Sequence, residues 1–124
     1  MASEPFAGLK VLVVEDEMLV SMIVEDMLAD FGCAVVGPAP SVQEAAGLAA
    51  GAEIDAAILD VNLAGQAVFP VADALKARSI PYAFASGYGD AGVPDAHRAA
   101  PVLQKPFRQM DLQRALGQLV GNRG

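Results

Sequence analysis

Two apolar rhythms alternate along this chain. Short runs that are apolar at nearly every position recur at residues 10–15 (KVLVVE), 33–37, 56–61, 81–86 and 102–104. Unbroken runs of this length predict strands covered on both faces. Between them the spacing changes. Val20, Ile23, Val24, Met27, Leu28 and Phe31 mark one core-facing stripe of a helix over 17–31, and Gly32 stops it. Pro38 is expected to end the second strand. Ser41-Val42-Gln43-Glu44 is a capping box that opens an alanine-rich helix to about Ala52. Val68, Val71, Ala72 and Leu75 predict a third helix, with Pro70 tolerable in its first turn. Residues 90–99 make a weak fourth helix at best, because Gly92 and Pro94 interrupt it. Leu112, Ala115, Leu116 and Leu119 give the last helix.

Strand and helix alternate five times, without internal repeat or linker. Regular alternation of this kind predicts an α/β fold, a parallel sheet with helices on both faces. Residues 1–124 read as one domain, with a core at about 9–120. Ligands on such folds bind beyond the carboxyl ends of the strands, where the strand order reverses.

Composition narrows the function. The chain has 124 residues, 54% of them hydrophobic, enough to build a core. No apolar run approaches the ~20 residues of a membrane span, and the N-terminus lacks the basic and apolar regions of a signal peptide. Membrane insertion is therefore not expected, and the expected compartment is the cytoplasm. The single cysteine, Cys33, has no internal partner and reads as a small buried hydrophobe. The net charge is −7, with eleven acids and one base up to Asn62 and four acids and seven bases beyond it. An acidic chain argues against direct nucleic-acid binding, which needs a basic face. The acids either form a solvated surface or hold a cation.

The strand ends favour the cation. Strand one ends in Glu15-Asp16-Glu17, strand three in Asp60, strand four in Ser86-Gly87 and strand five in Lys105-Pro106. A parallel sheet brings these to one edge. Carboxylates gathered there repel unless a positive charge sits among them. A hard divalent ion such as Mg²⁺ suits an all-oxygen set. No glycine-rich turn follows strand one, so a nucleotide phosphate has no backbone cradle there. A carboxylate can instead take a phosphoryl group as a nucleophile, a reaction that depends on positioning and on neutralising charge. Lys105 offers a compact positive charge and Ser86 a hydroxyl donor.

With Glu15-Asp16, Asp60, Ser86 and Lys105-Pro106 in this order, the chain resembles bacterial response-regulator receiver domains over about residues 9–120. The resemblance implies a doubly wound, five-stranded parallel sheet of the flavodoxin/CheY-like kind, in strand order 2-1-3-4-5. It implies that Asp60 accepts a phosphoryl group from a histidine kinase or histidine phosphotransferase, in a domain that assists its own phosphorylation and dephosphorylation without being an enzyme. Asp16, Asp60 and the backbone carbonyl of Asn62 would hold Mg²⁺, with Glu15 helping from behind or through water. Lys105 would pair with the phosphoryl group, Ser86 would move toward it, and the Lys105-Pro106 bond would be cis. Many family members carry an aromatic reporter three residues before the lysine; here that position is Val102. Phe84-Ala85-Ser86-Gly87-Tyr88 resembles a subgroup of mostly single-domain regulators with a Phe-Ala-Thr-Gly signature. The switch is then expected to run through Ser86, Gly87, Tyr88 and a loose fourth helix. Few residues follow the last helix, so the expected output is contact with a downstream protein, or relay of phosphate.

Two other functions compete. Asp60-Val61-Asn62 superficially resembles the Asp-x-Asp of haloacid-dehalogenase phosphatases, but an asparagine cannot serve as their general acid. A receiver-like adaptor that works without phosphorylation is the other. His97, the only histidine, has no companion ligands and reads as a surface residue. Arg108, Arg114 and Arg123 read as a solvated face.

Overall fold

The computed structural model describes residues 6–63, 65–87 and 93–120. The strands are β1 (Lys10–Val14), β2 (Ala34–Ala39), β3 (Ala56–Asp60), β4 (Asn62–Leu63), β5 (Gln66–Ala67), β6 (Tyr82–Ser86) and β7 (Val102–Gln104). The helices are α1 (Met18–Asp30), α2 (Val42–Gly51), α3 (Phe69–Ala77) and α4 (Gln109–Val120). Five strands form one parallel sheet in the order β2-β1-β3-β6-β7. With the small β4–β5 hairpin set aside, this is the expected 2-1-3-4-5 order.

The strands are apolar throughout because successive side chains enter two different cores. Leu12, Val14, Ala57, Leu59 and Phe84 face α2 and α3, where they meet Ala45, Ala49, Val71 and Leu75. Val11, Val13, Ile58, Ala83 and Ala85 face α1 and α4, where they meet Val24, Leu28, Leu112 and Leu116. All five residues of β3 and of β6 are buried, so both central strands arrive at the carboxyl edge in fixed register.

Four expectations change. Ile23 is not in the core stripe of α1: it is 55% exposed, and Met18, Leu19 and Met22 are exposed with it. The helix has apolar residues on two faces, and only the face with Ser21, Val24 and Leu28 turns inward. Pro38 does not end β2, which runs on to Ala39. An edge strand can omit one N–H donor, and Gly37 at φ +94° makes the bend with Ala39 N 2.8 Å from where a Cβ would stand. The β4–β5 hairpin, with Asn62 opposite Ala67, was not expected. Finally, among the described residues the predicted fourth helix is one short 3-10 turn at Asp95–His97.

Two devices set the remaining ends. Ser41 accepts from Glu44 N at 3.1 Å, as the capping box predicts. Arg78, just beyond α3, donates to the carbonyls of Ala49 (2.6 Å) and Ala52 (2.9 Å) at the end of α2. A cation there satisfies carbonyls that the helix leaves open.

Candidate functional site

The strand ends converge as a parallel sheet requires. Glu15 leaves β1 buried, at 5% exposure, while Asp16 beside it is exposed. Asp60 closes β3 at 7% exposure. Each of these three carboxylates places an oxygen within 4.8 Å of the others. Lys105, after β7, lies between two of them: its Nζ is 3.0 Å from Glu15 Oε1 and 3.3 Å from Asp60 Oδ1. Glu15 Oε2 also accepts from Glu17 N at 3.2 Å. Ser86 ends β6, next to β3, and is 3% exposed. Backbone bonds from Val61 N to Ala85 O and from Lys105 N to Ser86 O, 3.0 and 2.9 Å, hold the three strand ends together. The Lys105-Pro106 bond is cis.

The hairpin positions Asn62. Val68 N donates to Val61 O at 3.0 Å, a bond that flanks the Asn62–Ala67 pair. Antiparallel pairs alternate, which makes Asn62 and Ala67 a non-hydrogen-bonded pair. The Asn62 carbonyl therefore turns away from the ladder. Its side-chain Oδ1 accepts from Gly65 N at 3.0 Å, which ties off the turn. Sequence reasoning named this carbonyl without finding the hairpin behind it. The Asn62-x-x-Gly65 spacing was the available signal.

Charge at this site is unbalanced. Three carboxylates face one ammonium, and two carboxylates about 4 Å apart repel by roughly 4 kcal/mol at an effective dielectric of ~20. Burial first, and then the Glu15 charge, push the Asp60 carboxyl up to about 7, although Lys105 pulls the other way. For Lys105, burial works against the charge, but its bonds to Glu15 and Asp60 outweigh that and hold the ammonium above its ordinary value. A site of this kind gains from a second cation. Oxygen-only donors with one exposed carboxylate and a turned-out carbonyl fit a hard divalent ion that keeps several waters.

The other predicted residues fall nearby. Gly87 follows Ser86 and is exposed. Val102 pairs with Phe84 across β6 and β7 and is half-buried. Tyr88 lies outside the described residues. Pro106, with Val20, Ile23, Met27 and Phe107, lines an apolar groove of about 370 Å³ that opens beside Lys105.

His97 corrects the sequence reading outright. It is 4% exposed, not on the surface. Its Nδ1 is 2.7 Å from the Tyr82 hydroxyl and its Nε2 is 3.0 Å from Asp73 Oδ1. A short turn packs it among Phe69, Tyr82 and Phe84, and no spacing in the sequence announces that. Cys33 is half-buried, and burial pushes its thiol up to about 11. Arg108 and Arg114 are solvated, as expected, and Arg123 lies outside the described residues.

The sequence matches the model of the response regulator receiver domain over residues 11–117. Among solved structures, SdrG from Sphingomonas melonis Fr1 is 44% identical, with 91% of this chain and 97% of SdrG aligned at a TM-score of 0.82. The BeF3-activated conformation of SdrG from Pseudomonas melonis Fr1 is also 44% identical, with 92% and 98% aligned at a TM-score of 0.78. The receiver domain of sensor histidine kinase PA1611 from Pseudomonas aeruginosa PAO1 was solved with a magnesium ion coordinated in its active site cleft. It shares the fold, at 24% identity, 94% and 100% coverage and a TM-score of 0.76. No curated protein matches the sequence.

Proposed function

The chain belongs to the response regulator receiver domain family, and on that premise we propose that it is a signalling domain whose Asp60 takes a phosphoryl group in the presence of Mg²⁺. The observation that carries this is the placement of Asp60: a nearly buried carboxylate at a strand end, 3.3 Å from Lys105 Nζ and clustered with Glu15 and Asp16.

In the proposed transfer an Asp60 oxygen attacks the phosphorus of a phosphohistidine. The new O–P bond forms as the P–N bond breaks. The electron pair leaves with the imidazole nitrogen, and the product is an acyl phosphate on Asp60. Asp16, Asp60 and the Asn62 carbonyl would hold Mg²⁺, which when bound supplies charge neutralisation at the transferring oxygens. Glu15 keeps Lys105 in position through their 3.0 Å pair. Once Asp60 carries the phosphoryl group, Lys105 can turn from its carboxylate to the phosphoryl oxygens. The Ser86 hydroxyl, on the neighbouring strand end, donates to the same group. Support for this reading comes from SdrG, which has a BeF3-activated conformation at 44% identity, and from magnesium in the cleft of PA1611 on the same fold. The partners that follow are a histidine kinase or phosphotransferase as donor and a protein as receiver of the signal.

Incubation with Mg²⁺ and acetyl phosphate, followed by intact mass, tests the proposal. One adduct of about 80 Da, absent from Asp60→Asn, is expected. An unmodified protein that also ignores beryllofluoride would favour the phosphorylation-independent adaptor. Turnover of simple phosphomonoesters would instead revive the phosphatase, which the engagement of the Asn62 side chain with Gly65 N disfavours.

A further inference from the structure

His97 is a buried polar side chain for which the phosphoryl chemistry has no use. Its two ring nitrogens face two different elements: Nε2 meets Asp73 on α3 at 3.0 Å, and Nδ1 meets Tyr82 on β6 at 2.7 Å. An ionised carboxylate only accepts, so Nε2 carries the ring proton. In the neutral ring Nδ1 then accepts, and the Tyr82 hydroxyl donates to it. Tyr82 retains the proton that this requires, because burial and then the Asp73 charge hold its phenol above the ordinary range. The chain of donors thus runs in one direction, from Tyr82 to His97 to Asp73.

This chain is a concentrated attachment. Among the described residues, the backbone bonds of 93–100 stay within the stretch: His97 N to Pro94 O, Arg98 N to Asp95 O and Ala100 N to His97 O. Arg98 Nε likewise donates to Val93 O, inside the stretch. Val93 is packed in the core. Among the described residues, the polar ties to the body of the domain are His97, with its two bonds, and a long contact of 3.4 Å from Lys76 Nζ to Ala96 O.

The same ring also sits where two lines from the Asp60 site meet. Ser86, Phe84 and Tyr82 alternate along β6 and so share one face. Phe84 touches Tyr82, Phe69 and His97, with ring centroids 5.5, 5.6 and 5.8 Å away. Phe69 begins α3 directly after the hairpin that carries Asn62, and it stacks on His97 at 5.6 Å and 16°. The strand that ends in Ser86 and the helix that follows the hairpin thus both place a ring against the same imidazole.

We propose that the Tyr82–His97–Asp73 chain is a latch that holds residues 93–100 against β6 and α3, and that it opens when Asp60 is phosphorylated. This rests on the phosphoacceptor reading and supplies the readout that Val102 cannot provide. A phosphoryl group can move the stretch only if the stretch's contacts differ between the two states. Coupling is reciprocal, so weakening the latch must strengthen binding of the phosphoryl mimic.

Tyr82→Phe tests this, because it keeps the ring and removes only the donor. Two measurements are made on the full chain. In the unliganded protein, amide hydrogen exchange at His97, Arg98 and Ala100 is expected to rise about fivefold, with the amides of β1 and β3 unchanged. That factor is ~1 kcal/mol at 1.4 kcal/mol per tenfold. With Mg²⁺ present, beryllofluoride is expected to bind Tyr82→Phe about fivefold more tightly than wild type. Asp73→Ala, which cuts the other end at an exposed position, should shift both readouts the same way. Unchanged exchange in both variants overturns the latch. Raised exchange with unchanged beryllofluoride affinity shows a brace present in both states and overturns the opening. A wild-type protein blind to beryllofluoride overturns the phosphoacceptor reading and the coupling together, while the exchange measurement still decides whether His97 anchors the stretch.

Discussion

Lys105 Nζ stands 3.0 Å from Glu15 Oε1, an ion pair that joins the end of β1 to the end of β7 across ninety positions of chain. Glu15 is almost fully buried, so it depends on this partner. Removing one member of a buried pair strands the other charge. Lys105→Ala leaves Glu15 and Asp60 facing each other. We expect it to lose about 2–4 kcal/mol of stability at pH 8, with much of the loss recovered in excess Mg²⁺. Glu15→Gln keeps Lys105 paired with Asp60 and relieves a repulsion, so its loss should be under about 1 kcal/mol. Denaturant melts with and without Mg²⁺ compare the two, and equal losses would contradict the geometry.

The raised Asp60 carboxyl makes stability depend on pH in a defined direction. Its folded value, about 7, lies above the ordinary 3.8, so the folded state binds more protons between these values. This contribution is undiminished below about pH 4, falls as pH rises and is fully lost above about 7. Asp60→Asn removes the charge and with it the fall. At pH 8 the variant should be more stable than wild type by on the order of 4 kcal/mol, and at pH 4 the two should agree. Mg²⁺ should raise the Tm of wild type more at pH 8 than at pH 5. A variant that is less stable than wild type at pH 8 would refute the electrostatic account.

Glycines at positive φ separate stability from metal binding. Gly65 has φ +87° with open space around a would-be Cβ, and it closes the hairpin that turns out the Asn62 carbonyl. Gly65→Ala pays only the backbone penalty of ~1–2 kcal/mol, concentrated in the hairpin. Mg²⁺ affinity, followed by titration, should weaken several-fold while the sheet remains intact. Gly37→Ala, where a Cβ meets Ala39 N at 2.8 Å, should lower the Tm and leave Mg²⁺ affinity unchanged.

The exposed side of α1 predicts a difference between donors. Met18, Leu19, Met22 and Ile23 present apolar surface beside the groove that opens at Lys105. Apolar patches of this kind mark contact surfaces. Ile23→Asp is therefore expected to leave labelling by acetyl phosphate unchanged and to slow transfer from a phosphorylated protein donor about tenfold, the effect of ~1.4 kcal/mol lost from an interface. Equal rates from the protein donor would remove α1 from the docking surface.

Much of this protein was legible in one dimension. Strands buried on both faces must be apolar at every position, so β1, β3 and β6 stood out, and parallel pairing placed Glu15, Asp60, Ser86 and Lys105 at one edge. The capping box at Ser41 and the stop at Gly32 are local chemistry and were readable for the same reason. Ile23 was misplaced because α1 carries two apolar faces, and periodicity cannot say which one meets the sheet. Pro38 was misread because its tolerance depends on β2 being an edge strand, a property of the assembled sheet.

Asp73, Tyr82 and His97 mark the limit most clearly. They come from three elements, carry no common spacing and include an aspartate whose side chain is largely exposed. The pattern of the chain alone determined the sheet, its direction and which side chains end its strands, because local periodicity and the geometry of parallel pairing decide these. Only the tertiary structure decided that Lys105 is shared by Glu15 and Asp60, that a hairpin turns out the Asn62 carbonyl and that His97 is buried. Each of those is set by distances between segments far apart in sequence, and such distances exist only once the segments have packed.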